Sequence, residues 1–591
     1  MDDRYSSLLL RTCIAGCLLG LAATVYLLAG VAGYLRSAWL NATAAGAAAG
    51  AAAFIVIEIA AIASRVAGRG RWLWGAIVAL ALAQVALSLT PPIARDELTH
   101  HLAIPNLYVR EGRIVGVPFA PYSYYPMLLD MLYIPWIYWE IDFVPKLVHG
   151  TFGWLTGLLI FAHLSARMNA VYGLLGFFFF ASVPAVLRSM HAAYVDLGLV
   201  FYSTASLLCL VRWREEGARR WLALAACSAG FAAATKPNGL LSLALLSMVF
   251  LLSAASAGAP KRIVGAVALF GTLALIPVLP WLIKNELQTG NPFYPFLGRF
   301  FEATRDPAPG IGAAFTELGI FAKRKLLYGE RWWQIAALPL RVFFSGRDHS
   351  PQYFDGVLTP LLILGLPWAF KGKWLCEKKL CIGFAALFLG YAIFLADLRV
   401  RYILPIVPPL VILLVYAVFN IYLRIGRPAY LYAGLLFFAA VNAGYLHRYA
   451  QETGAISYLA GGQSREGYLE SKLAEYPAMR YVNEQTPETS KIYLLFVGRR
   501  AYYCRRRYIH DGGELPARLL RAVRQSAGPA EVAGRLRGEG ITHLLVRRDL
   551  LDRYMADNLK PSELTVWSGF LERWAEKRFE GRGYAVYQLN G

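Results

Sequence analysis

The chain has 591 residues, of which 57% are hydrophobic and only 16% are charged, and its mean hydropathy is +0.44. This composition excludes an ordinary soluble protein of this length and predicts a chain embedded in a bilayer. The formal net charge of +21 does not indicate a nucleic-acid partner. The Lys and Arg residues fall mostly in short gaps between apolar runs, where they set the orientation of a membrane protein.

Apolar runs recur along most of the chain, and about thirteen of them approach the roughly 20 residues that a membrane-spanning helix needs. The first seven run from about Leu8 to Tyr34, Ala38 to Ala63, Trp72 to Pro92, Leu147 to Ser165, Val171 to Leu187, Tyr194 to Val211 and Trp221 to Thr235. The last six begin near Leu240, Ile263, Val357, Leu380, Tyr402 and Pro428. The sequence therefore predicts a polytopic α-helical membrane protein.

Basic residues gather at alternate gaps between these runs, which predicts that those gaps are cytoplasmic. Examples are Arg65, Arg69 and Arg71, Arg212 to Arg220, and Lys371 to Lys379. With an odd number of spans, the N-terminus is then cytoplasmic and the C-terminus periplasmic. Three long stretches, 93–146, 285–356 and 447–591, fall on the periplasmic side.

The last of these stretches differs in character from the rest of the chain. It contains a helical pattern from Leu473 to Glu484 and β-type runs at Lys491–Val497, Thr542–Val546 and Tyr584–Leu589. At roughly 145 residues it is long enough for a small domain. We predict a periplasmic α/β domain over 447–591.

Carboxylates stand at the periplasmic ends of two of the predicted spans, after the third span and at the start of the sixth. Asp96 and Glu97 lie in the run Arg95-Asp96-Glu97-Leu98-Thr99-His100-His101, and Asp196 follows His191 in the next periplasmic loop. Acids at a membrane boundary are costly unless they are solvated or paired, so they indicate a functional site. The alternative is that they favour the N-termini of helices.

Three cations lie on the same side, against the general charge trend: Lys236 in Thr235-Lys236-Pro237, and Arg399 and Arg401 before Tyr402. Each alone is explained by a side chain that reaches from a span to the interface. Together with the acids, they predict an anionic ligand, since Arg and Lys both suit phosphate.

The order of these features resembles the GT-C superfamily of membrane glycosyltransferases. The features are an early acidic pair, a second-loop Asp, a Thr-Lys-Pro turn and a late Arg-x-Arg-Tyr-x-Leu-Pro. Within that superfamily, the chain is similar to the bacterial branch of the dolichyl-phosphate-mannose protein mannosyltransferase and lipid A aminoarabinose transferase group. The run from Pro280 to Asn285 and the run from Thr289 to Pro295 share this resemblance, which covers about Trp72 to Tyr422. Residues 72–446 would form the catalytic core, and 1–71 two additional N-terminal helices.

The resemblance implies a periplasmic enzyme of the bacterial inner membrane that uses a polyprenyl-phosphate sugar donor and a lipid, glycan or protein acceptor. It implies Asp96 as the catalytic base, with Glu97 and Asp196 as further catalytic residues. It also implies that Lys236, Arg399, Arg401 and Tyr402 bind the lipid phosphate. The side chains expected to contact substrate are those of His100, His101, His191 and Tyr124.

Two alternatives to this reading remain open from the sequence. A transporter or flippase for lipid-linked saccharides would also use paired acids, although the chain shows no internal repeat of the kind that such proteins contain. A divalent metal has ligand types available among the acids and histidines. No ligand spacing of the H-E-x-x-H kind is present, so the sequence predicts no metal ligands and no cofactor. We expect Arg95 to keep Asp96 ionised.

Overall fold

The computed structural model describes residues 3–66, 68, 70–255, 260–298, 300–301, 319–371, 375–393, 398–511 and 515–590. Residues 299 and 302–318 of the predicted loop at 285–356 therefore lie outside the described residues. The first fourteen helices, α1 to α14, are Asp3–Val31, Ala38–Arg65, Gly70–Ser88, Ala103–Glu111, Leu128–Met131, Ile134–Tyr138, Val144–Arg167, Ala170–Ser182, Pro184–Ser189, Asp196–Glu216, Arg219–Thr235, Gly239–Ala255, Pro260–Leu275 and Leu279–Thr289.

The later helices, α15 to α29, are shorter on average. They are Ile320–Tyr328, Trp332–Ala336, Leu338–Phe344, Leu361–Leu364, Leu366–Ala369, Cys376–Ile393, Val407–Ile425, Pro428–Thr453, Ala455–Leu459, Arg465–Lys472, Tyr476–Gln485, Ala517–Arg524, Pro529–Gly538, Arg548–Asn558 and Pro561–Arg573. A π-helical turn spans Glu97–His101, and 3-10 turns span Pro121–Tyr124, Pro351–Tyr353 and Val400–Ile406.

The membrane-embedded, multi-pass character predicted from composition is confirmed. Among the described residues, seven helices are long and apolar enough to cross a bilayer, or eight if α13 and α14, which meet at 50°, form one bent span. Helices α8 and α12 are apolar but shorter. The predicted run from Val357 contains the short helices α18 and α19 rather than one long helix, and Pro360 and Pro367 occur at their starts. The total of thirteen stays a prediction.

The two N-terminal helices pack closely on the rest of the bundle. Tyr202 of α10 donates a hydrogen bond to the Gly16 carbonyl at 2.9 Å, and Tyr26 of α1 donates one to Asn41 Oδ1 of α2 at 2.6 Å. A Cβ atom at Gly16 would lie 1.9 Å from the Phe201 ring, so only glycine allows this approach. Small residues commonly permit such close contacts between membrane helices.

The C-terminal α/β domain is present. Its strands, β1 to β5, are Lys491–Leu495, Arg507–Ile509, His543–Arg547, Ala575–Gly581 and Tyr584–Leu589, and they form one sheet in the order β2-β1-β3-β5-β4. Strands β1, β2 and β3 are parallel, whereas β5 pairs antiparallel with β3 and β4. The sequence correctly located β1, β3 and β5 and missed the two edge strands.

This domain contacts the bundle through the segment that follows β1. The backbone N–H groups of Ala501 and Tyr502 both donate to the Leu98 carbonyl, at 3.0 and 3.2 Å. Arg110 of α4 donates to the Cys504 carbonyl at 2.6 Å, and the Tyr503 hydroxyl donates to the Pro92 carbonyl at 2.8 Å. The domain therefore lies against the same loop that carries the acidic pair.

Candidate active site

The acidic pair lies where α3 has ended and a π-helical turn begins. Two prolines, Pro91 and Pro92, separate α3 from this turn, and proline cannot donate the backbone hydrogen bond that would continue a helix. Asp96 stands immediately before the turn, and Glu97 is its first residue. Turns of this kind are rare and frequently occur at functional sites.

Glu97 is buried, with 1% of its surface exposed, and holds two loops together. Its Oε2 accepts hydrogen bonds from the backbone N–H groups of Ile93 at 3.1 Å and Ala94 at 2.8 Å. Its Oε1 accepts one from the backbone of Ala193 at 2.6 Å. Burial raises the pKa of Glu97, an effect that Lys146 and these backbone donors oppose. The side chain thus ties the Asp96 segment to the loop that leads to Asp196.

Two ion pairs lie side by side at this end of the bundle. Asp96 pairs with Arg401, and Asp196, the first residue of α10, pairs with Lys236 at 2.5 Å. The Tyr402 ring connects them, because the Lys236 Nζ and the Arg401 guanidinium each lie 5.0 Å from its centroid. Arg401 also donates to the Tyr402 hydroxyl at 3.2 Å. We call these five residues the charged cluster.

The electrostatics of the cluster keep Asp96 ionised. Burial by itself would raise the pKa of Asp96, but the Arg401 guanidinium lowers it, and the net pKa is well below its usual range. The ion-pair partner is Arg401, whereas we expected the neighbouring Arg95 to have this role. Arg401 comes from a segment that is far from Asp96 in the sequence.

Two histidines flank Asp96. His101 forms a 2.8 Å hydrogen bond through Nδ1 with Asp130 Oδ1, and His100 stacks on Tyr122 with ring centroids 4.7 Å apart. Burial lowers the pKa of His100 to about 3 and of His101 to about 4, so both rings are neutral at pH 7. Burial also raises the pKa of Asp130 well above its usual value.

Arg399 has a different environment from Lys236 and Arg401, the other two cations predicted to bind phosphate. It forms a 3.7 Å ion pair with Asp355, and Asp355 also pairs with Arg188 at 3.0 Å. Arg188 in turn contacts Asp348 at 2.8 Å, which accepts a 2.7 Å hydrogen bond from the Tyr445 hydroxyl. Arg399 therefore belongs to a second network beside the charged cluster.

The remaining predicted substrate contacts lie around this region without joining the ion pairs. His191 is buried and stacks on Tyr449 at 5.3 Å. Tyr124 is 1% exposed and packs edge-on against Tyr294 at 4.9 Å. Tyr122, rather than Tyr124, is the aromatic residue beside His100.

Sequence reasoning missed three buried residues that build the site. Asp130 is bonded to His101, as described above. Lys146 donates to the carbonyls of Thr90 at 2.9 Å and Pro91 at 3.2 Å, which fixes the end of α3. His149 donates through Nδ1 to the Ala192 carbonyl at 2.8 Å, while its Nε2 accepts from the Leu197 backbone at 2.9 Å. For Lys146 and His149, the available signal was their position as polar residues on the mostly apolar α7.

A metal centre is not apparent in the part of the chain that the structure describes, where no group of three or more His, Cys, Asp or Glu residues has a metal-binding arrangement. The acids of the charged cluster are instead paired with Arg401 and Lys236.

Comparison of the whole structure with solved structures finds proteins of similar fold. No family model and no curated protein matches the sequence. ArnT from Cupriavidus metallidurans in the apo state matches with a TM-score of 0.52 and 16% identity, over 86% of this chain and 96% of ArnT. The same protein bound to undecaprenyl phosphate gives 0.51 and 14%, over 88% and 98%. The Archaeoglobus fulgidus oligosaccharyltransferase gives 0.43 and 13%, over 82% and 71%. The chain therefore has an ArnT-like, membrane-embedded fold with a C-terminal α/β domain.

Proposed function

We propose that this protein is an inverting glycosyltransferase of the bacterial inner membrane that transfers one sugar from a polyprenyl-phosphate donor at the periplasmic face. The observation that carries the proposal is the charged cluster, in which a carboxylate suited to act as a base lies beside two cations suited to phosphate. The ArnT-like fold supports it, because ArnT has been crystallised with undecaprenyl phosphate.

The chemistry follows from the residue types. Asp96 accepts the proton of the acceptor hydroxyl while that oxygen forms a bond to the anomeric carbon, and the bond from this carbon to the phosphate oxygen breaks. The electron pair leaves with the lipid phosphate, and a carboxylate base in this role is general-base catalysis. Lys236 and Arg401 stabilise the leaving charge. Attack opposite the leaving group inverts the anomeric centre, so no covalent intermediate is required.

We assign the other residues around this reaction as follows. Glu97 supports Asp96 by holding its loop, through the three backbone hydrogen bonds described above, rather than by exchanging a proton. Tyr402 contacts the phosphate together with the two cations. Arg399 acts near the phosphate through the network that it shares with Asp355.

The acceptor side of the proposed site is formed by the loop that carries Asp96 and by the C-terminal domain that contacts it. His100 and His101 are the closest of the proposed substrate contacts in sequence to Asp96, and His191 and Tyr124 are further candidates. The proposed acceptor is a lipid, glycan or protein that presents a hydroxyl group.

Purified protein in nanodiscs with a labelled polyprenyl-phosphate sugar tests the proposal directly. We expect the label to leave the carrier and to appear on an added acceptor or in water. Movement of the intact lipid between leaflets without cleavage would overturn the enzyme and would favour a flippase.

The proposed orientation has a separate test. Reporter fusions after Arg220 and after Gly540 should report opposite sides of the membrane, with the second on the periplasmic side. Reporters on the same side would remove the periplasmic site from the proposal without affecting the proposed chemistry.

A further inference from the structure

The two ion pairs of the charged cluster leave no cation prepositioned for phosphate alone. Arg401 contacts Asp96 and Lys236 contacts Asp196, although both cations lie 5.0 Å from the centroid of the same Tyr402 ring. An anion that reaches both cations must therefore compete with both carboxylates. This arrangement differs from a phosphate site whose cations have no acidic partner in the protein.

We propose that Asp96 and Asp196 are positioning residues that hold Arg401 and Lys236 beside Tyr402 and release them to the phosphate of the donor. The inference rests on the proposed function and adds the order in which two of its steps occur. Donor phosphate takes the cation from Asp96, and only then is Asp96 free to accept a proton. Asp196 has no part in proton transfer and serves to hold Lys236.

Burial and contact geometry support this exchange. The side chains of Asp96, Arg401 and Lys236 are 19%, 15% and 14% exposed, whereas that of Asp196 is 3% exposed. Asp96 and both cations are therefore within reach of an entering ligand, and Asp196 lies behind Lys236. Opposite charges attract more strongly away from water, so each pair holds its cation until another anion competes for it.

The pairing of each cation with a carboxylate stabilises the cation before the donor phosphate binds. Two unpaired cations at this boundary would pay a desolvation cost until a ligand arrived. A carboxylate partner offsets that cost through Coulombic attraction. A phosphate that contacts both cations and the Tyr402 hydroxyl replaces two separate partners by one. Asp96 then loses its cationic neighbour, and the pKa of its carboxyl rises toward that of a useful base.

The test measures the affinity of the full-length protein in nanodiscs for undecaprenyl phosphate. Uncharged undecaprenol is measured beside it, because it has the same chain and lacks the phosphate. Asp196→Asn and Asp96→Asn each remove one competing carboxylate. We expect each to bind undecaprenyl phosphate about tenfold more tightly, equivalent to about 1.4 kcal/mol, and to bind undecaprenol as the unaltered protein does. Asp549→Asn is the matched control, because it removes an acid from the exposed 2.6 Å pair with Arg547 in the C-terminal domain.

The outcomes separate this inference from the proposed function. If the unaltered protein binds undecaprenyl phosphate no better than undecaprenol, the proposed function and the inference both fail. If it prefers the phosphate but the two variants bind it equally or more weakly, the proposed function stands and the exchange is wrong. Equal tightening in Asp549→Asn would show an effect of net charge alone and would also overturn the exchange.

Discussion

Two ionic clusters lie near opposite ends of helix α7, and they are built differently. Lys146, near the start of α7, bonds the segment that precedes Asp96 of the charged cluster, and His163 lies near the end of α7, about 25 Å away along the helix axis. At the second end, buried Glu377 pairs with Arg167 at 2.7 Å, lies 3.6 Å from His163 and accepts a hydrogen bond from the Tyr416 hydroxyl. We call these four residues the Glu377 cluster.

The difference between the clusters lies in how many partners each acid has. In the Glu377 cluster, one carboxylate that is 3% exposed is held by donors from α7 and α21. In the charged cluster, each acid has one cation, and three of the four ionic side chains are partly exposed. An acid held from several directions stabilises a fold, whereas a paired acid at an accessible edge can exchange its partner.

The largest expected effect is that of Asp96→Asn. Asn keeps the shape of the side chain and loses the proton acceptor, so turnover should fall by about two to four orders of magnitude. Turnover of labelled donor under saturating conditions measures this loss. Near-normal turnover would place the charged cluster with the Glu377 cluster as a structural feature.

Arg401→Ala should weaken donor use by about 10- to 100-fold in kcat/KM, the value of a hydrogen bond to a charged group. The reason is that the lipid phosphate loses its guanidinium contact. Arg547→Ala is the control, because it breaks a comparable but exposed Arg–Asp pair. A parallel loss of thermal stability and activity in Arg401→Ala would indicate a merely structural cation.

The pH dependence of the enzyme should reveal the exchange of Arg401. In the donor-free protein the pKa of Asp96 lies below its usual value, so its ionised form contributes stability above about pH 4 that is lost as the pH falls further. The fall of kcat/KM at low pH reports the pKa of the base in the free protein, and the fall of kcat reports its pKa in the donor complex. We expect kcat to fall at a pH about one unit or more higher than kcat/KM does. Coincident limbs would mean that Arg401 stays on Asp96.

The smallest effect on chemistry should come from Glu377→Gln. Loss of the buried carboxylate breaks the buried Glu377–Arg167 ion pair and leaves Arg167 with Glu215 as its acidic partner, which should lower the free energy of unfolding by about 3 kcal/mol. Turnover of the folded fraction should stay within a few-fold of normal. Thermal melting in detergent, read beside turnover, measures both, and a large loss of turnover in fully folded protein would mean that the two clusters communicate.

Much of the fold could be predicted because hydrophobicity is a local property of the chain. The predicted run from Ala38 to Ala63 matches α2, Ala38–Arg65, and the predicted strand at Tyr584–Leu589 matches β5. The edge strands were missed for a physical reason. Strand β4 carries alternating charges, Glu576, Lys577 and Arg578, which protect a sheet edge but obscure the β pattern.

The sequence by itself determined that the chain is a membrane protein, where several of its long helices lie and which charged residues stand near their ends, because each of these depends on neighbours along the chain. Only the tertiary structure decided the partners. It joined Asp96 to Arg401 and Asp196 to Lys236, and it placed Arg399 on Asp355. Coulombic pairing depends on distance in space, and folding brings those residues together from segments that no local pattern connects.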